Sequence, residues 1–130
     1  MSDAAVVLDA SALLALLHDE PGAEAVARVL SRCVISAVNL SEVVAKLTDH
    51  GMPLADIRTA LNGLPLDVRP FDQEAAYASG SLRGVTRGKG LSFGDRACLA
   101  LANQLGLEAV TADRAWASLP DGTARVTVIR

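Results

Sequence analysis

The strongest constraint on this chain is a series of short apolar runs, each too short for a helix and each followed by a helix-forming stretch. Residues 4–8, Cys33-Val34-Ile35, Leu66-Asp67-Val68-Arg69, 108–111 and 125–129 read as strands. Helical stretches over 10–17, 23–30, 37–49, 53–61, 93–105 and 113–119 separate them, with a further helix capped by Asp72 that reaches Leu82 or Gly84. Short buried strands alternating with helices predict a parallel sheet covered by helices on both faces, an α/β fold.

Local punctuation supports the boundaries. Ser36 is a good N-cap for the helix over 37–49, Gly51 ends it, and Pro53 opens the next. Ser92 with Asp95 three residues on has the form of a capping box, and Gly106 terminates the helix that follows. Residues 83–90, rich in glycine and basic groups, read as a mobile loop.

At 130 residues the chain suits one domain, 1–130. Half of it is hydrophobic but few residues are aromatic, so Ala, Val and Leu must build the core. A formal net charge of -3 argues against a generic basic nucleic-acid binder, though not against a nuclease in which cations neutralise acids locally. Cys33 and Cys98 lie far apart within apolar runs and read as reduced core thiols of a cytosolic protein. Met1-Ser2-Asp3 lacks the basic start of a secretory signal, and the longest apolar run, 10–17, is too short to span a bilayer. A cytoplasmic location and no membrane contact are the expectations.

The alternation also places the acids. In right-handed βαβ units strand C-termini and helix N-termini share one edge of the sheet, where open α/β folds bind ligands. Asp9 ends the first strand, Glu42 lies in the second turn of the helix after the second strand, Asp95 opens its helix, and Asp113 follows the fourth strand. Asp19, Glu20, Asp49, Asp67 and Glu108 fall on the opposite edge, and Asp72 is assigned to capping. Asp9, Asp95 and Asp113 each have an ordinary explanation as helix caps. Glu42 does not, because it sits past the first turn among Leu40, Val43 and Val44. Four crowded carboxylates raise one another's pKa values unless a divalent cation joins them. All-oxygen ligands with no Cys or His cluster favour Mg²⁺, or Mn²⁺, over Zn²⁺. Such a site suits phosphodiester hydrolysis, with one metal or two.

Four segments carry a family resemblance: 7–14 (Val-Leu-Asp-Ala-Ser-Ala-Leu-Leu), 39–43 (Asn-Leu-Ser-Glu-Val), 91–95 (Leu-Ser-Phe-Gly-Asp) and 111–114 (Thr-Ala-Asp-Arg). In this order and spacing the chain resembles the PIN domains, and among them the VapC-type toxins of toxin–antitoxin pairs. The resemblance implies a three-layer sandwich with sheet order 3-2-1-4-5, and Asp9, Glu42, Asp95 and Asp113 as metal-binding catalytic acids. It makes Thr111 and Ser11 polar supports for the acids, or alternatively hydroxyls that simply bond backbone at a strand end. It further implies an Mg²⁺-dependent endoribonuclease cutting RNA with a metal-activated water, a homodimer, and a VapB-type antitoxin whose C-terminal segment occludes the site.

Arg83, Arg87 and Lys89 are candidates for RNA phosphate contacts, against the reading of a solvated loop. Arg96 and Arg114, each directly after an acid, either touch substrate or point away. His18 and His50 fall at helix C-termini on the edge away from the acids and read as end caps. Trp116 and Tyr77 read as core or interface packing. The Ala-rich helices between Ala23 and Leu61 either pack on the sheet or present a groove to a partner peptide. The competing functions are a housekeeping RNA-processing nuclease and a catalytically silent PIN module for RNA binding or assembly. A phosphatase of the haloacid dehalogenase type wants an Asp where this chain has Ser11.

Overall fold

The structure, a computed structural model, describes residues 5–130. The expected strand start at Ala4 and the Met1-Ser2-Asp3 segment lie outside the described residues. In chain order the elements are β1 (Val6–Leu8), α1 (Ala10–Leu17), α2 (Ala23–Val29), a 3-10 turn (Leu30–Arg32), β2 (Cys33–Ser36) and α3 (Ala37–Asp49). They continue with α4 (Leu54–Asn62), β3 (Asp67–Arg69), α5 (Gln73–Ser81), α6 (Arg83–Thr86), α7 (Phe93–Leu105), β4 (Glu108–Thr111), a second 3-10 turn (Arg114–Ser118) and β5 (Val126–Val128).

The sheet is five-stranded and parallel throughout, in the order β3-β2-β1-β4-β5, as the resemblance implied. The central register aligns Val7 with Val34 on one side and Ala109 on the other, and Leu8 with Ile35 and Val110. Side chains alternate across a strand, so these two rows feed two cores. Leu8, Ile35 and Val110 pack with Ala12, Leu13, Val26, Val43, Leu47, Ile57 and Leu61 from α1 to α4. Val7, Val34 and Ala109 pack with Leu82, Cys98, Leu99, Ala102 and Trp116 on the other face. The expected sandwich of helices about a sheet follows directly from that alternation.

Several expectations need correction. The segment read as a mobile loop is helical in its first half: Leu82 and Thr86 are buried, and the Thr86 N–H and hydroxyl both donate to Leu82 O, at 3.0 and 2.7 Å, closing α6. Strand β3 needs no such correction: it forms the sheet margin, the place that the assignment of Asp72 to capping presumes, with Val68 42% exposed. Its marginal place agrees with Asp72 acting as a cap, its Oδ1 accepting from Ala75 N at 2.9 Å. Pro53 is the N-cap of α4 rather than its first residue. The helix expected over 113–119 is a tighter 3-10 turn, short enough to be closed by Asp113 alone. Trp116 is in the core but Tyr77 is exposed on α5. Among the described residues no helix is long and apolar enough to cross a membrane.

Candidate active site

Asp9 leaves β1 in extended conformation and caps α1, its Oδ1 accepting from Ala12 N at 2.8 Å. Its other oxygen, Oδ2, accepts from the Thr111 hydroxyl at 2.5 Å. The Ser11 hydroxyl lies 2.8 and 2.9 Å from the two carboxylate oxygens. Both hydroxyls are themselves aimed by backbone: Ala112 N donates to Ser11 Oγ at 2.9 Å, and Asp113 N donates to Thr111 Oγ1 at 3.0 Å. An oxygen that accepts from an N–H is free to turn its own proton to the acid. The reading of Thr111 and Ser11 as supports and the reading as backbone-bonding hydroxyls are thus one arrangement. Asp9 is only 5% exposed. Burial pushes its carboxyl up from the ordinary 3.8 to about 6, against the lowering effect of Thr111, Ala12 and Ser11, while the negative charge of Asp95 pushes the same way as burial.

Glu42 projects from the second turn of α3. Its Oε1 accepts from Asn39 Nδ2 at 2.9 Å, and the same amide donates to Gly94 O at 3.0 Å, so one buried side chain ties the acid of α3 to the start of α7. Gly94 is there for space: a Cβ on it would stand 2.5 Å from the Glu42 Cδ and closer still to Oε2. Asp95, the next residue, completes the expected capping box, with Ser92 N donating to its Oδ2 at 3.0 Å and its own N–H donating to Ser92 Oγ at 3.1 Å. Asp113 caps the second 3-10 turn, its Oδ1 accepting from Ala115 N at 2.9 Å.

The four acids, from four separate segments, line one pocket of about 410 Å³. Capping and convergence therefore hold together. Cys98, one turn beyond Asp95 and fully buried, reports the same crowding: burial raises its thiol pKa well above the ordinary value, and the charges of Asp9, Asp95 and Glu42 add to the rise. Both cysteines are free and buried, as expected.

Other residues fall differently from expectation. Asp49, placed on the far edge, lines the acid pocket, because the groove follows α3 from Glu42 through Ala45 and Lys46 to its last residue. His18 and His50 do cap α1 and α3 through their N–H groups. They also line an adjoining cavity that shares Ser11, Leu14 and Lys46 with the acid pocket. Arg83, Arg87 and Lys89 are exposed but line no part of that pocket. Arg96 is half-buried outside it, and Arg114 donates through Nε to Arg130 O at 3.2 Å. Sequence reasoning missed the roles of Asn39, Gly94 and Lys46. Their signal was helical spacing: Asn39 and Lys46 lie three residues before and four after Glu42, on its face of α3.

The sequence matches the PIN domain family over residues 6–122. The chain belongs to the PIN domain family. PIN domains are nucleases, which supports a phosphodiester hydrolase, and they generally use divalent metals. The fold of this PIN domain is similar to that of a chain in a VapBC toxin–antitoxin system from Mycobacterium tuberculosis, 26% identical with a TM-score of 0.63, covering 98% of this chain and 99% of that one. It is also similar to a toxin–antitoxin complex from Klebsiella pneumoniae (22% identity, TM-score 0.75, 97% and 98% covered) and to DNA-bound VapBC from Salmonella typhimurium (22%, 0.72, 98% and 100%). No curated protein matches the chain significantly.

Among the described residues, no three His, Cys, Asp or Glu side chains converge tightly enough to make a ready-formed metal cage. The chemistry of the donor set nonetheless fits a hard cation: the four acids and Asp49 share a pocket whose one basic side chain among the described residues is Lys46. No hydrogen bond among the described residues engages Asp95 Oδ1, Asp113 Oδ2 or Glu42 Oε2, whereas the partner oxygen of each is held.

Proposed function

We propose that this chain is an Mg²⁺-dependent endoribonuclease and the toxin of a toxin–antitoxin pair, with Asp9, Glu42, Asp95 and Asp113 as its metal-binding catalytic acids. The observation that carries the reading is the meeting of these four acids, remote in sequence, in one pocket at the carboxyl edge of the sheet. Mn²⁺ is the natural substitute, as it takes the same ligands. When bound, a divalent cation supplies the acidification of a water and the neutralisation of charge on the phosphate. The chain's own part is orientation. Ser11 and Thr111 hold Asp9, Asn39 holds Glu42, Ser92 holds Asp95, and the Ala115 N–H holds Asp113. Each of the last three acids keeps one oxygen for a ligand while the other is fixed.

The toxin reading draws on the likeness to chains of VapBC and other toxin–antitoxin complexes. With it come a VapB-type antitoxin as partner, a homodimer and a cytoplasmic location. Arg83, Arg87 and Lys89, exposed on the segment leading into α7, are proposed to hold RNA phosphates beyond the cleft. The test is cleavage of RNA by the purified chain in Mg²⁺. Asp95→Asn is expected to lower the rate at least about 100-fold, the scale on which a single charge-stabilising group acts, while the circular dichroism spectrum stays unchanged. Unaltered cleavage by that variant would refute the assignment. In cells, induced wild-type chain is expected to arrest growth and Asp95→Asn is not.

A further inference from the structure

The groove between α1 and α3 does not end at the acids. Two cavities meet there through shared walls at Ser11, Leu14 and Lys46. The first is acidic. The second contains Lys46, His18, His50 and Arg130, with Glu20 as its one acid. Arg130 is already engaged, its Nη1 lying 3.7 Å from Glu20 Oε1 and donating to Pro21 O at 3.5 Å. Lys46 is not. It is placed one turn beyond Glu42, the favourable order for an ion pair along a helix. Yet Glu42 turns its Oε1 to Asn39, and among the described residues no carboxylate lies within ion-pair distance of the Lys46 ammonium. The lysine is exposed where the acidic cavity passes into the basic one.

From this arrangement we infer that Lys46 binds a phosphate of the RNA backbone, the one adjoining the phosphate being cut. The inference rests on the ribonuclease reading above and extends it by naming where the strand lies. Lys46 is four residues past Glu42, which places it roughly 6 Å further along the helix axis, on the scale of one nucleotide step. A chain of phosphates entering a pocket of carboxylates needs a cation at the entrance, and a flexible ammonium serves as a point charge there. The strand thus runs along the seam of α1 and α3, from the acids toward the His18–His50 pair, whose rings meet edge to face at 5.3 Å.

The experiment measures binding of a fluorescent single-stranded RNA 12-mer by the full chain at several salt concentrations in Mg²⁺. The Asp95→Asn background keeps the probe intact, and cleavage by the wild-type chain is followed in parallel. Removing one phosphate contact lowers the slope of log affinity against log salt by about 0.7 for a single strand. Lys46→Ala is expected to show that loss, and in the active chain to raise KM roughly three- to tenfold with little change in kcat. Lys46→Arg is expected to retain the slope, and Arg28→Ala, on the exposed face of α2, to leave it unaltered. A slope untouched by Lys46→Ala in a chain that cuts RNA overturns the subsite and leaves the nuclease standing. A slope that depends on Lys46 in a chain that leaves RNA intact overturns the nuclease, and with it the place beside a cut phosphate, and leaves Lys46 as an RNA phosphate contact alone. A chain that binds no RNA overturns both.

Discussion

Replacing Asp9 by Asn is expected to remove cleavage and yet to make the metal-free chain more stable at neutral pH. The reason lies in its burial. The folded chain holds the Asp9 carboxyl at about 6 where the unfolded chain has 3.8. Between those values the folded state binds a proton that the unfolded state has lost, so stability is full below the lower value and falls as pH rises through the upper one. The difference of roughly two units amounts to about 3 kcal/mol at pH 7. Asn removes the charge while keeping the shape, and an amide oxygen can still accept from Ala12 N at the cap. Its NH₂ faces the Thr111 hydroxyl that now donates to Asp9, a mismatch worth about 1 kcal/mol. The net gain is about 2 kcal/mol at pH 7 and none at pH 4. Urea unfolding of both proteins in chelator, at matched protein concentration and at pH 4 and 7, reads this directly. Added Mg²⁺ at pH 7 should then favour the wild-type chain. A variant no more stable than wild type at pH 7, or equally favoured at pH 4, would show that burial of the charge is not what strains this site.

Gly94→Ala is expected to leave the fold standing, because the obstructing atoms belong to the exposed end of Glu42, but to push that carboxylate off Asn39 and cut the rate at least about tenfold; an unchanged rate would mean that Glu42 is not held where it acts. Thr111→Val keeps the buried shape and deletes the bond that lowers the Asp9 pKa. Its pH–rate profile should move to higher pH than the wild-type profile, and a shift the other way would contradict the role given to Thr111.

The alternation of strands and helices and the helix starts were legible because they rest on local rules, whereas the strand order came from the family resemblance. Ser36 caps α3 through its hydroxyl, Gly106 adopts the left-handed conformation (φ 67°) at the end of α7, and the apolar runs fall into adjacent strands. The four acids were legible because strand ends and helix starts share an edge. What local rules miss is what two helices make between them. Asp49 and Lys46 enter the cleft because α1 packs against α3 with Ser11 and Leu14 facing the stretch from Glu42 onward, and nothing in either segment alone announces that seam. The tie from Asn39 to Gly94 joins residues 55 apart in sequence. Residues 83–86 were read as loop on composition, whereas the buried Leu82 and Thr86 decide in favour of a helical turn.

That three of the four acids take part in helix capping bears on how such a site can fold with no cation bound. Like charges in one pocket would push its walls apart, and an open wall would let water into the core around Cys98. A cap opposes that push at each acid separately. The Ala12, Ser92 and Ala115 N–H groups each donate to a carboxylate, so every capped acid meets the positive end of a helical segment before any metal arrives. For Asp95 and Asp113 the cap takes one oxygen and leaves the other open. The same bond that makes these aspartates look structural in the sequence fixes one oxygen and leaves the second unengaged, as the proposed metal binding requires. Of the four, Glu42 alone has no backbone partner among the described residues, and there a buried amide takes the place of the helix end.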